Sequence, residues 1–387
     1  MTFLTLTVDN SLMSSLSPKD LVSLSRTSRD LRDRVNAYMR RASNIENFLE
    51  KYFTPSEVES FRHLQSRTQM IISGSTALQF FERVEYPSSD LDVYVDHDLK
   101  KEIVAWLLRI GYAFEPRRNM TLAEELKFPP IPCDDPGYIG RGVANVFNFH
   151  KFNPDRKIQL ITTSNCSPLD TVLNYHSTCI MNIITHKKAY AFYPKATFND
   201  RRSLKYSTSG TNQEEARQKY ADRGWTMVDH LTAGELANQN SEFTTTARYA
   251  GDSFCWTVDL LPEIALPDAL VEINSWEFCC GSSYPSMRTW SLTRDKLCFR
   301  YLIADQKTYD FIKLSLCYMS ADEQHDFQIL ELMRARRVQA NIVEPDTWYT
   351  MARALFQNIF IFEGCWTPFT LFVVFFLLSI LLTKLYI

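Results

Sequence analysis

The sequence predicts an α+β protein, and three observations carry that expectation. Capped amphipathic periodicity leads the chain, short apolar strands flank a Gly-Ser turn between residues 70 and 95, and an uncharged apolar run lies near residue 370. The 387 residues are expected to divide into a helical lead over 1–66, a mixed sheet with helices over 67–200, an accessory α+β region over 201–345 and a C-terminal apolar helix over 354–387.

The lead starts with a capping pattern: Ser17, Pro18 in the first helical turn, and Asp20 three residues after the cap. Leu21, Leu24, Leu31 and Val35 then recur at helical spacing, which predicts one amphipathic helix of about five turns. Thr54-Pro55-Ser56-Glu57 repeats the start signal for a helix ending near Gln65. Met70–Ile72 reads as a strand, Thr76–Arg83 as a helix and Leu91–Val95 as a second strand. Leu99–Ile110 buries one face and stops at Gly111, and Tyr112–Phe114 follows as a short strand.

Pro129–Gly142 is rich in Pro, Gly and Asp and reads as a loop. Val143–Phe149 and Lys157–Thr162 read as strands of a hairpin turning at Asn153-Pro154-Asp155. Ser167-Pro168-Leu169-Asp170 starts another helix, and Thr211–Glu214 opens one on a polar stretch, Arg201–Arg217, that reads as a linker. Further on, Ser253–Leu260, Leu270–Ile273 and Leu297–Ala304 are expected as strands, with Ser320–Val338 as a charged helix. Trp366–Leu382 holds seventeen residues without a formal charge. As a helix it would reach about 26 Å, close to the hydrocarbon thickness of a bilayer. Trp366 and Tyr386 suit the interface and Lys384 can snorkel, so a membrane tail anchor with the bulk of the chain cytosolic is expected over a buried core helix.

Charge and cysteines narrow the function classes. With 42 Lys+Arg against 45 Asp+Glu the net charge is −3, which excludes a bulk electrostatic nucleic-acid binder. Nine scattered cysteines with no CxxC pair, and no basic segment before an apolar run in Met1–Leu16, predict reduced thiols facing the cytosol.

Chemistry concentrates in Ile71-Ile72-Ser73-Gly74-Ser75 and Ser89-Asp90-Leu91-Asp92-Val93-Tyr94-Val95. A strand delivers a Gly-Ser turn to a helix N-terminus, where bare backbone N–H groups favour an anion and the Ser75 hydroxyl adds a donor. Asp90 and Asp92 flank one apolar residue, so strand periodicity puts both on one face, about 7 Å apart. Such a pair beside a phosphate cradle can hold Mg²⁺ between protein and triphosphate.

This arrangement resembles the nucleotidyltransferase-fold superfamily, the polymerase-beta-like enzymes and their minimal relatives. Their pattern is an apolar strand, Gly-Ser or Gly-Gly, roughly ten residues, then Asp-x-Asp or Asp-x-Glu. The likeness spans about Met70 to Pro194 and is sharpest over Ile71–Val95. It implies that Gly74 and Ser75 hold the NTP phosphates while Asp90 and Asp92 ligate Mg²⁺ and serve catalysis. It also implies a third carboxylate on a later strand; the matching strand, Lys157-Ile158-Gln159-Leu160-Ile161, carries Gln159 instead. An amide takes no proton and supplies no charge, and losing a general base costs about 10²–10⁴ in rate. Asp155 and Asp170 lie outside the expected strand context.

The lead carries a softer likeness. Leu12-Met13-Ser14-Ser15-Leu16-Ser17-Pro18-Lys19-Asp20-Leu21-Val22-Ser23-Leu24-Ser25-Arg26 resembles the second half of an F-box, which docks ubiquitin-ligase adaptors, although LTVDNS stands where Leu-Pro-x-Glu would open it. A generic helical cap fits the same residues. An F-box-like start before such a core is similar to proteins common in mushroom-forming fungi. Two functions follow from these likenesses: transfer of a nucleoside monophosphate from NTP–Mg²⁺ to an acceptor, or an inactive fold used as an interaction surface. His150, His176 and His186 lack metal spacing and read as structural, Asp96 and Asp98 as loop and cap residues, and Cys279-Cys280 as packing. Arg334, Arg336 and Arg337 read as a solvated helix end, and no GxSxG, HExxH or P-loop pattern occurs.

Overall fold

The computed structural model describes residues 6–86, 89–116, 120–127, 142–152, 154–164, 166–206, 211–280, 285–292, 296–319 and 325–340. The chain forms two units, Met1–Phe327 and Gln328–Ile387. The first is a mixed α+β structure built on one large mixed sheet.

Five helices lead into that sheet: α1 (Leu6–Ser14), α2 (Pro18–Ser25), α3 (Arg29–Ala42), α4 (Ile45–Leu49) and α5 (Pro55–Thr68). Ser17 with Asp20 and Thr54 with Glu57 each close a reciprocal cap, as the spacing predicts. The expected five-turn helix is instead α2 and α3. The break falls at Arg26–Ser28 because Ser28 turns extended and its hydroxyl accepts from the Leu31 N–H, starting a new helix. Met13, Leu21, Val35 and Tyr38 form a small cluster of their own, whereas α4 and α5 bury Ile45, Leu49, Val58, Phe61 and Leu64 in the main core.

The sheet has eight strands: β1 (Ile71–Ser73), β2 (Leu91–Asp96), β3 (Ala113–Glu115), β4 (Val143–Lys151), β5 (Arg156–Thr163), β6 (Asn182–Ile184), β7 (Lys188–Ala191) and β11 (Trp256–Asp259), ordered β11-β7-β6-β1-β2-β5-β4-β3. Only β2 and β5 run parallel; every other neighbouring pair is antiparallel. Strand alternation separates the two faces. Ile72, Leu91, Val93, Val95, Ile158, Leu160, Phe147 and Phe149 join one core, with Phe53, Phe61, Trp106 and the helix α7 (Lys100–Arg109). Ile71, Tyr94, Ile161 and Val146 face the other core, with Val172 and Leu173 of α9 (Pro168–Leu173). Between β1 and β2 lies α6 (Gly74–Glu82), and α8 (Leu122–Glu125) follows β3.

The rest of the first unit is arranged around this sheet. A parallel pair joins β8 (Arg202–Leu204) to β9 (Thr226–Val228), with α10 (Thr211–Asp222) between them and α11 (Ala233–Ala237) after. The described parts of the stretch read as a linker, 201–206 and 211–217, are therefore built structure: Arg217 of α10 donates to the Tyr206 carbonyl at 2.7 Å. A three-stranded sheet combines β10 (Ala247–Tyr249), β12 (Ser275–Cys280) and β13 (Pro285–Arg288), and β14 (Trp290–Leu292) pairs with β15 (Tyr301–Ile303) before α12 (Gln306–Tyr318). Leu270–Ile273, expected as a strand, is a short 3₁₀ helix burying Leu270, Val271 and Ile273; an apolar run this brief suits either state because it is too short to show a period. In the second unit, helix α13 (Asp326–Ala340), which starts at the last two residues of the first, carries the charged pattern expected near Ser320–Val338.

Among the described residues no helix is long and apolar enough to cross a membrane. The apolar segment Trp366–Leu382 and most of the Pro129–Gly142 loop lie outside the described residues.

Candidate functional site

The site begins where β1 passes into α6 without a connecting loop. Ser73 is extended and Gly74 adopts φ +68°, a left-handed conformation that glycine takes at no steric cost. Antiparallel register sets Asp92 opposite Ser73. Its carboxylate comes so close over Gly74 that a Cβ there would sit 2.4 Å from Oδ2. Absence of a side chain at residue 74 is what lets the Asp92 carboxylate lie against the helix N-terminus.

The chain entering β2 is tied down on all sides. The Thr76 hydroxyl, in the first turn of α6, donates to the Asp90 carbonyl at 2.7 Å. Tyr52 Oη and Lys51 Nζ donate to the Ser89 carbonyl at 2.9 and 3.3 Å, and Gln79 Nε2 donates to the Ser89 hydroxyl at 3.0 Å. Ser73 Oγ donates to the Asn182 carbonyl at 2.6 Å, fixing the turn against β6.

Across the sheet the same face carries a polar row. β2–β5 register puts Gln159 beside Asp92, and β5–β4 register puts Asn148 beside Gln159. One row further out, Asp90 precedes the paired Leu91 and Ile158, so it falls level with Lys157, whose β4 partner is His150. Behind these the same face turns apolar, with Ile71, Tyr94, Ile161 and Val146 buried in core.

Burial comes first in setting the charge at this site, and neighbouring charges come next. Burial, then the Asp90 charge, push Asp92 up to about 7, against a smaller pull from Lys219. Asp90 is raised by burial and by Asp155, while Lys157, Lys219 and Lys51 oppose the rise. Lys219, on α10, is lowered by burial and by Arg223, with both aspartates opposing. The site is thus two carboxylates that repel each other, ringed by Lys51, Lys157 and Lys219. His176 packs at a tilt against Tyr220 of α10 and is lowered to about 4, chiefly by burial, so it stays neutral.

The oxygen-only donor pair suits a hard dication such as Mg²⁺, and mutual repulsion between the carboxylates is what such an ion relieves. Among the described residues no group of three or more His, Cys, Asp or Glu is placed to hold a metal, so water and ligand oxygens would have to complete the shell. Ser75, in the first turn of α6, is buried.

Other sequence candidates sit elsewhere. Asp170 lies on α9 and accepts from the Asn174 amide at 3.2 Å, while Asp96 caps the 3₁₀ turn after β2 and pairs with Arg300. His186 hydrogen-bonds the Pro267 carbonyl at 2.8 Å. Lys219 and Lys51 escape sequence reading because nothing local marks them: each reaches the site from an element far along the chain from Asp92. Comparison with family models, with curated proteins and with solved structures finds no match to this chain.

Proposed function

We propose that the protein binds a nucleoside triphosphate with Mg²⁺ and transfers the nucleoside monophosphate to a hydroxyl acceptor, in the manner of the nucleotidyltransferase-fold superfamily. The observation that carries this reading is the Asp92 carboxylate lying on Gly74 at the head of α6, with Asp90 coupled to it. In this reading the α6 N-terminus at Gly74 and Ser75 receives phosphate oxygens, and Asp90 and Asp92 hold the metal. Lys219, Lys51 and Lys157 offset the remaining negative charge. Bound Mg²⁺ would polarise the phosphoryl oxygens.

Thermal unfolding tests the binding half. Each NTP with Mg²⁺ should raise Tm by several degrees at saturating ligand, and chelation should abolish the rise. No Mg²⁺-dependent shift with any NTP would remove the proposal.

Gln159 beside Asp92 favours a second reading, a fold that binds without transferring and serves as an interaction surface. The lead would then dock a ubiquitin-ligase adaptor, a role supported by the separate small core of α1–α3. We also propose that Trp366–Leu382 anchors the chain in a bilayer. Carbonate extraction should leave the protein in the membrane pellet, and release to the supernatant would end that idea.

A further inference from the structure

The proposed transfer needs a group to take the acceptor's proton, and Gln159 does not do this. Resting on that reading, we propose that His150, oriented by Asp155, is the general base of this site.

Both residues belong to the β4–β5 hairpin, and strand register sets where His150 lies. His150 pairs with Lys157, which is level with Asp90, so His150 lies two strands from β2, about 10 Å away between backbones. Alternation along β4 puts it on the same face as Asn148 and Val146, the face that carries Asp92 and Gln159.

The imidazole is oriented rather than loose. Its Nε2 engages Asp155 Oδ1, and the exposed Phe152 ring packs against it with centroids 3.9 Å apart. A carboxylate only accepts, so the shared proton sits on Nε2 and the Nδ1 lone pair remains to accept another. Asp155 is held below the usual carboxylate range by its bond from His150 and is therefore a poor base itself. Its charge stays to stabilise the imidazolium that forms. Asp155 is in this sense a positioning residue.

The step balances without a further reactant. The acceptor O–H gives its proton to His150 Nδ1, and the oxygen forms a bond to the α-phosphorus. The bond from that phosphorus to the oxygen bridging to the β-phosphate breaks, and pyrophosphate leaves with the electron pair.

The test measures Mg²⁺-dependent pyrophosphate release from ATP by the full-length protein, with water as acceptor, alongside Mg²⁺–ATP binding. His150→Ala should slow release by about 10²–10³-fold with binding within threefold of the parent. Added imidazole should restore part of the rate, and Gln159→Asp placed in the His150→Ala chain should restore it without imidazole. Asp155→Asn should slow release about tenfold. Unchanged release by His150→Ala, or a loss that neither imidazole nor Gln159→Asp relieves while binding persists, would overturn the inference. A parent chain that binds Mg²⁺–ATP yet releases no pyrophosphate overturns it too and leaves the binding reading standing. Failure to bind overturns both.

Discussion

Asp92 holds its proton to about pH 7 in the folded chain, against about 4 when unfolded, because burial and Asp90 both disfavour its charge. Between those values the folded state binds the extra proton, so stability falls as pH rises through the window and the loss is complete above about pH 7. Asp92→Asn removes that cost, and the metal-free variant should exceed the parent by about 1–2 kcal/mol at pH 8. The gain should vanish near pH 4. Urea unfolding at the two pH values checks this, and equal stability at pH 8 would contradict it. At this scale the sequence was informative where chemistry is local: the Gly-Ser turn and the Asp-x-Asp pair are adjacent letters with a fixed period. It was silent on Lys219, whose role depends on a helix more than a hundred residues further along.

At the scale of elements, the end of the large sheet is locked by a buried arginine. Arg248 of β10 donates to both oxygens of Asp252 at 2.7 and 3.0 Å and to the carbonyls of Glu242 and Phe192 at 2.6 and 3.0 Å. Glu242 in turn receives the N–H groups of Lys195 and Ala196, while burial pushes it up to about 7. Arg248→Met removes the counter-charge of buried Asp252, leaving that carboxylate only the Tyr249, Phe254 and Cys255 N–H groups, and should cost about 3–5 kcal/mol. Denaturant titration measures it, and a loss under 1 kcal/mol would show that the network is not structural. Nothing in the run Thr246-Ala247-Arg248-Tyr249 signals a buried charge, since a lone arginine is ordinarily solvated. Strands with clean alternation, such as β4 and β5, were legible together with their turn. The 3₁₀ segment Leu270–Ile273 was not, because four residues are too few to show the period that distinguishes helix from strand. Ser28 likewise divides the first amphipathic run by a cap whose strength the apolar pattern does not encode.

Over the whole molecule, sheet order decides what meets what. β1 lies between β6 and β2, so the turn into α6 faces Asp92 on one side and the Asn182 carbonyl on the other. β11, far along the chain, closes the opposite edge by pairing with β7. Such long-range pairing leaves no mark in a local window, which is why the α+β class was legible while the contribution of β11 to the main sheet was not. The most direct measurement is calorimetric titration of the full-length protein with ATP, with and without Mg²⁺, for the parent and for Asp92→Asn. The account predicts saturable binding that requires Mg²⁺ and is lost in the variant. Binding of equal affinity in parent and variant, or heat that ignores Mg²⁺, would contradict it.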